Sequence, residues 1–252
     1  LNVANVPAQA ATDVTDTATF KKALPTTVGT HVITFVVDGH EYPVTAYVMN
    51  EHKPNSSVAF EGVDFVIELD QVNETNVKSK SEVKAWNVEA VPGGAPTAIT
   101  DITITKLPTT VGTHQIEFTA GDETFEVTAY VVDQVVGDVA FSGHDFAIAL
   151  DDVSETNVKL GSDIKAWDIS GLPETAPTVI EDISITTLPT TVGDHTIEFT
   201  AAGETYEVTA YVTTVFNKET NIALTAHDFN IQLEDVSELE FRNLSDVDAW
   251  DM

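Results

Sequence analysis

Residues 107–131 read LPTTVGTHQIEFTAGDETFEVTAYV, and closely similar stretches occupy residues 24–48 and 188–212. A second sequence also occurs three times, and each copy ends in Ala-Trp. We name the first set blocks B1 (24–48), B2 (107–131) and B3 (188–212), and the second set blocks A1 (58–86), A2 (139–167) and A3 (222–250). Self-similarity at a fixed period of about 80 residues predicts an array of similar small modules.

The repeats leave two module frames open. Length differences between copies fall only at two joins, after Ala-Tyr-Val and after Trp, and surface connections tolerate such insertions. Divided at Trp, with Leu1 at the Trp position, the chain is three units, 1–85, 86–166 and 167–252. Divided after Ala-Tyr-Val, it is two whole modules, 58–131 and 139–212, flanked by two half-modules.

The pattern within the blocks predicts short strands. Apolar residues alternate with polar ones along B2 and the first half of A2, and a Gly-Asp turn interrupts B2. This predicts a hairpin and an inward-facing set of side chains: Ile116, Phe118, Phe125, Val127, Phe146, Ile148 and Leu150. Residues 162–167 fit either a Ser-capped helical turn or a short strand. The predicted fold class is all-β, with tandem sandwich modules forming an elongated rod.

The composition excludes several classes of function. The 252 residues include 41 acidic and 11 basic side chains, for a net charge of −30. Nucleic acid and anionic lipid are therefore unfavourable partners, because phosphate binding needs clustered Lys and Arg. No cysteine is present, so disulfides and thiol catalysis are excluded. We also expect no membrane insertion, because no apolar run approaches 18 residues. The first residues lack Met and signal-peptide features, which suggests a fragment of a longer chain.

Both blocks carry a family resemblance. The pattern from Pro-Thr-Thr-Val-Gly to Val-Thr-Ala-Tyr-Val in block B resembles the second half of bacterial immunoglobulin-like repeats. The block A pattern, from His-Asp-Phe to Ala-Trp, is similar to segments of tandem-repeat surface adhesins of Gram-positive bacteria. The resemblance implies immunoglobulin-like modules in an extracellular, cell-surface stalk or adhesive array, and it implies that the protein is not an enzyme.

Several polar and aromatic residues recur at one position in each copy of the blocks. His31, His114 and His195 share one position, but no Ser-His-carboxylate set, HExxH or phosphate-binding loop accompanies them. We therefore predict half-buried strand residues there and no catalytic residue. Trp86 and its two counterparts fit either a sugar-stacking platform or a packing anchor at a module junction, and we favour the anchor.

Carboxylates recur in block A and suggest a calcium site. Ca²⁺ prefers six to eight oxygen ligands, and the Leu-Asp-Asp-Val-Ser-Glu stretch could supply several near a module junction. The candidate ligands are Asp70, Asp151, Asp152, Glu155, Glu234 and Glu238. The alternative is a solvated acidic surface that keeps strand edges from pairing between molecules. No other cofactor is expected.

Three functions stay open on these observations. The first is a structural stalk that presents a distal binding region or supports adhesion and biofilm, with neighbouring modules of the same polypeptide as partners. The second is a module that binds a host protein or glycan directly. The third is a subunit of a head-to-tail fibre completed by strand exchange between like chains. The third predicts that the segment carrying Phe229, Ile231 and Leu233 is half-covered in a lone chain, whereas the stalk predicts full protection, and we favour the stalk.

Overall fold

The computed structural model describes residues 13–251. Strands make up 45% and helices 15% of it, so the fold is all-β, as predicted. The chain divides into two compact units, of which the first comprises Leu1–Val63, Lys78–Leu107 and Gln115–Val127, and the second comprises Asp64–Val77, Pro108–His114 and Thr128–Met252. The predicted equivalence of Leu1 with the Trp position lies outside the described residues.

The elements up to the end of block B2 are eleven short or medium strands and one short helix. In chain order they are β1 (Thr19–Phe20), β2 (Gly29–Val37), β3 (His40–Val48), β4 (Glu51–His52), β5 (Val58–Glu61), β6 (Phe65–Glu68), α1 (Glu74–Lys80), β7 (Lys84–Asn87), β8 (Thr97–Ile99), β9 (Thr103–Ile104), β10 (Gly112–Ala120) and β11 (Glu123–Val132).

The same order repeats through the rest of the chain. The elements are β12 (Gln134–Val136), β13 (Val139–Ser142), β14 (Phe146–Ala149), α2 (Glu155–Ser162), β15 (Lys165–Asp168), β16 (Thr178–Val179), β17 (Ile183–Ile185), β18 (Gly193–Ala201), β19 (Glu204–Thr213), β20 (Val215–Asn217), β21 (Ile222–Thr225), α3 (Glu238–Ser245) and β22 (Asp248–Asp251). Single 3-10 turns lie at Thr15–Thr17, Leu69–Gln71, Leu150–Asp152 and Leu233–Asp235.

In the first unit, block B1 forms an antiparallel sheet of order β1-β2-β3, and block A1 contributes to a sheet of order β4-β5-β7-β8. Phe60 of β5 stacks on Phe125 of β11, with ring centroids 5.5 Å apart. The predicted inward set of block B2 is confirmed, because all four side chains are at most 8% exposed. These residues are Ile116, Phe118, Phe125 and Val127.

In the second unit, block A2 and block B3 build two four-stranded sheets. One has the order β12-β13-β15-β16 and the other β14-β19-β18-β17. In the second sheet β14 runs parallel to β19, with Phe146 opposite Ala210. The strand order β6-β11-β10-β9 repeats this arrangement, and Phe65 stands opposite Ala129 in the same parallel register. The blocks that pair are therefore A1 with B2 and A2 with B3.

The core of the second repeat has two parts. Phe146, Ile148 and the helical residue Val158 pack with Ile197 and Phe199 of β18 in the larger part. In the smaller part Val139, Phe141 and Ala166 of the first sheet pack against Ala201 of the second, which joins the two sheets face to face. Phe146 and Ile148 are buried and Leu150 is half-buried against this core, so the predicted inward set of block A2 is confirmed.

Block A2 contains a helix that the sequence pattern did not predict. Helix α2 begins after Ser154, whose hydroxyl accepts a hydrogen bond from Asn157 N–H, and Ser162 is its last residue rather than its cap. Asp163 then adopts a left-handed conformation (φ 47°), and residues 165–167 lie in β15. Residues 162–167 are thus a helix end followed by a strand. The helix packs one buried apolar residue, Val158, against the sheet.

Candidate functional site: the surfaces that join blocks A and B

An aspartate anchors each pairing of a block A with a block B. Asp145 Oδ1 accepts a hydrogen bond from Thr209 N–H at 2.6 Å, one residue before the β14–β19 ladder begins. Asp64 Oδ1 accepts from Thr128 N–H at 2.7 Å in the equivalent place. Each carboxylate replaces a missing backbone acceptor at the start of a parallel strand pair, and a charged acceptor makes such a bond stronger. The recurring Asp of block A therefore fixes the register of the two blocks.

A stacked aromatic pair joins the two sheets of the second repeat. The Tyr206 ring lies on Phe141 with centroids 5.6 Å apart, and its hydroxyl donates to the carbonyl oxygen of Gly143 at 2.9 Å. Burial, with the nearby charges of Asp133 and Asp145, raises the pKa of Tyr206 to about 12. A Cβ at position 143 would lie 3.1 Å from Tyr206 Cε1, so glycine allows the ring this close approach. The sequence analysis missed this contact, although glycine recurs in block A at position 62.

Block B1 exposes the face that blocks B2 and B3 bury. Val44 is 49% exposed, whereas the equivalent Val127 and Val208 are 3% and 5% exposed. Tyr42, the counterpart of Tyr206, is 53% exposed. Strand β3 is also an edge strand of its sheet, since only β2 pairs with it among the described residues. Among residues 13–251, no strand therefore lies beside β3 in the position that β14 occupies beside β19.

Block A3 shows the complementary exposure. Its strand β21 pairs with β22, with Ala223 opposite Trp250, as Ala140 pairs opposite Trp167 in block A2. Residues 226–232, however, form no strand, in contrast to β6 and β14. Leu233 is 91% exposed and Phe241 is 44% exposed, whereas the counterpart of Phe241 in block A2 is fully buried. Phe229 and Ile231 are half-buried. Full protection of block A3 stays a prediction, which hydrogen exchange would test.

The recurring histidines clamp the loop that opens each block B. Each ring Nε2 lies within 2.9 Å of a backbone carbonyl oxygen four residues earlier. The pairs are His31–Thr27, His114–Thr110 and His195–Thr191. The glycine between them has a φ of 125–129°, a region that L side chains rarely adopt. All three rings are half-buried, as predicted, and the hydrogen bond gives them a structural position in the loop.

The acidic calcium candidates lie in two neighbouring local structures. Asp70, Asp151, Asp152 and Glu234 belong to the 3-10 turns. Glu155 and Glu238 are the first helical residues and form ion pairs one turn later with Lys159 (2.6 Å) and Arg242 (3.2 Å). An acidic first residue favours a helix through its dipole. Among residues 13–251, no group of three His, Asp or Glu side chains stands close enough to hold a metal ion.

Two of the recurring tryptophans lie beside the strand that ends the preceding block B. Trp167 borders a cleft of about 160 Å³ together with Val66, Gly112 and Tyr130. Trp250 borders a larger depression with Tyr211, although its side chain is 43% exposed. The indole therefore faces residues of the repeat before it, which is the position of a junction anchor.

No family model matches this sequence. No curated protein matches it either. Within the described part of the chain, none of the helices has the length and apolar character needed to cross a membrane.

Proposed function

We propose that this chain is a structural array of repeated β modules in an extracellular bacterial surface protein. In this role it forms a semi-rigid stalk that presents a distal binding region or supports adhesion and biofilm formation. The immunoglobulin-like repeat resemblance of blocks A and B supports the proposal, and the physical module is one block A with the block B that follows it. The role is structural rather than catalytic.

The observation that carries the proposal is a connector clamp repeated in all three copies. The last strand of each block B is separated from the next strand by a connector of one or two residues. The connectors are Met49–Asn50 after B1, Asp133 after B2 and Thr214 after B3. The side chain of each connector accepts a hydrogen bond from the same backbone position of the following block A. The bonds are Gly62 N–H to Asn50 Oδ1 (2.9 Å), Gly143 N–H to Asp133 Oδ2 (3.0 Å) and Ala226 N–H to Thr214 Oγ1 (3.4 Å).

Such connectors restrict bending between successive modules. A linker of one or two residues has little chain to flex, and the side-chain bond holds it against the next block. In the second unit Glu68 Oε1 adds a further bond, accepting from Val135 N–H in β12 at 2.8 Å. A rigid series of modules is what a spacer requires.

The acidic surface also suits a tandem array. Identical neighbouring β modules at high local concentration risk pairing edge to edge and misfolding into one another. A net charge of −30 opposes this through repulsion between like-charged edges.

Small-angle X-ray scattering on the whole chain tests the structural part of the proposal. We expect a maximum dimension well above that of a globular protein of 252 residues, and a smaller one for a variant with eight Gly-Ser residues inserted after Asp133. A compact particle, or an insertion without effect, would contradict a semi-rigid stalk. Protease treatment of intact cells of the source bacterium, followed by immunoblotting with antibodies to block A2, tests the surface location.

A further inference from the structure

We propose that the second unit binds a glycan in a cleft beside Trp167, where blocks B2 and A2 meet. In this site a C–H face of a pyranose ring covers the indole, and the sugar hydroxyls bind the polar side chains around it. Binding of this kind is a further function of the chain, and the stalk does not depend on it. All residues that border the cleft belong to the second unit.

The cleft lies on the face of the A2 sheet that is turned away from the core. Phe141 of β13 and Ala166 of β15 pack in the core. Because side chains alternate along a strand, the neighbouring residues Ser142, Lys165 and Trp167 lie on the opposite face. Ser142 and Lys165 are directly opposite each other in the strand pair. The sheet therefore presents an indole with a hydroxyl and an ammonium group beside it.

Two adjoining spaces make up the cleft, and Trp167 borders both. One is the space of about 160 Å³ described above, which includes the apolar side chains of Val66 and Ala140. The other has a volume of about 300 Å³ and includes polar side chains. Sites for small ligands typically have volumes of about 300–1,000 Å³. An apolar space next to a polar one suits a pyranose, which has an apolar C–H face and a rim of hydroxyls.

Ser142 provides the observation that points to a ligand. The residue is only 8% exposed and borders the polar space. Among residues 13–251, no group forms a hydrogen bond with its hydroxyl. A buried hydroxyl without a partner is unfavourable, because it has lost its hydrogen bonds to water. A hydroxyl of a bound sugar would supply the missing partner.

Three further side chains around the polar space keep unused hydrogen-bonding capacity. Asp133 Oδ2 accepts from a backbone amide at 3.0 Å, which leaves Oδ1 for a ligand. Asp163 Oδ2 accepts from Lys165 Nζ at 2.8 Å, and Oδ1 is its second acceptor. His144 Nδ1 lies 2.9 Å from a backbone carbonyl oxygen, which leaves Nε2. This mixture of donors and acceptors suits hydroxyl groups, because a hydroxyl both donates and accepts.

The charges and the sheet order disfavour other classes of ligand. Asp133 and Asp163 outnumber Lys165 at the cleft, and the chain has a net charge of −30, so an anion would be repelled. A cationic group would have to displace Lys165 from Asp163. A peptide cannot add to β13 or β15 as a further strand, because each already has a neighbour on both sides. A neutral ligand rich in hydroxyls meets none of these obstacles.

Block A1 supplies a matched variant that closes the cleft. Glu61 stands at the position of Ser142, opposite Lys84 in the strand pair. Its carboxylate reaches the Lys84 ammonium at 3.7 Å. Ser142→Glu is therefore expected to fold, to pair with Lys165 and to fill the polar space. Ser184→Glu adds the same charge at an exposed position of β17 and is the control.

A glycan array probed with the labelled full-length chain tests the proposal. We expect the natural chain and Ser184→Glu to bind the same set of glycans, and Ser142→Glu to bind them about tenfold or more weakly, because it loses a hydrogen bond and the space for the sugar. Thermal melts of the three chains show that each is folded. Equal binding by Ser142→Glu, or no glycan bound by the natural chain, would overturn the proposal.

Tryptophan fluorescence places the ligand at this cleft. In a full-length chain with Trp86→Phe and Trp250→Phe, Trp167 is the only indole. Titration with the glycan that binds best on the array should change its emission, and Ser142→Glu in the same background should abolish the change. Tetralysine, titrated in parallel, should have no effect. A response to tetralysine but not to the glycan would identify a site for cations, and an unchanged emission with bound glycan would place the glycan elsewhere. Either result overturns the proposal.

Discussion

Removal of the Tyr206 hydroxyl tests the hydrogen bond between the two sheets of the second repeat. The first repeat provides a control, because it has phenylalanine at the equivalent position, Phe125. Tyr206→Phe removes the hydrogen bond to the Gly143 carbonyl and leaves the ring. The stack on Phe141 should persist, because the first repeat has phenylalanine at the equivalent position. There Phe125 stacks on Phe60 at 5.5 Å and 10°, against 5.6 Å and 7° for Tyr206 on Phe141. Phe125→Tyr is therefore the reciprocal substitution.

The expected magnitude follows from the bond that is lost. A neutral, part-buried hydrogen bond contributes about 0.5–1.5 kcal/mol net. Tyr206→Phe should lower the free energy of unfolding of the second repeat by about 1 kcal/mol. A loss of that size corresponds to a melting shift of about 4–8 °C for a unit of this length. Phe125→Tyr should raise the stability of the first repeat by a similar amount, through a new bond to the Gly62 carbonyl.

The pH dependence of the Tyr206→Phe effect follows from the raised pKa. The pKa of Tyr206 is about 12 in the folded chain, against about 10 for an unfolded tyrosine. The folded state thus favours the protonated phenol, so its contribution is complete below pH 10 and is lost as the pH rises towards 12. The stability difference between the natural chain and the Tyr206→Phe variant should therefore shrink over that interval.

Hydrogen exchange resolved along the chain is the appropriate assay, because it separates the second repeat from the first. Protection factors of amides in β18 and β19 report on Tyr206→Phe, and those in β10 on Phe125→Tyr. Tyrosine fluorescence titration of the natural chain and the variant locates the alkaline transition. Unchanged protection in Tyr206→Phe, or a stability difference that stays constant from pH 9 to 12, would refute the assigned hydrogen bond and its burial.

Three further outcomes are expected. Asp145→Ala should destabilise the pairing of A2 with B3 by about 1–2 kcal/mol in urea unfolding, and Asp145→Asn by less, because the amide oxygen still accepts from Thr209 N–H. Phe199→Ala should lower the free energy of unfolding by about 3–5 kcal/mol, measured in the same urea unfolding. Phe35→Ala, at the equivalent half-buried position of block B1, should lower it by at most about half of that. Equal losses would mean that block B1 is covered. The melting temperatures in millimolar Ca²⁺ and in chelator should be equal, because the acidic candidates lie in 3-10 turns and at helix starts. A higher melting temperature with Ca²⁺ would support a calcium site.

The sequence alone determined the local structure of the chain. Alternation of apolar residues identified the strands of block B2 and their buried face, since side chains in a strand point alternately to its two sides. The Gly-Asp turn between β10 and β11 and the half-buried histidines were likewise predicted. All of these depend on contacts within a few residues. Helix α2 was missed because a helix of two turns has too few apolar residues to show a period of 3.6.

Only the tertiary structure decided how the blocks combine. The repeats predicted that A and B blocks alternate, but periodicity does not say whether a block A packs on the block B before it or after it. The parallel pairs Phe65–Ala129 and Phe146–Ala210 link each complete block A to the block B that follows. Asp64 and Asp145 accept hydrogen bonds from threonine amides 64 residues away in the chain, a role that the sequence did not indicate. Contacts between residues so distant in sequence depend on the packing of whole sheets. Local patterns of hydrophobicity and charge therefore do not predict them.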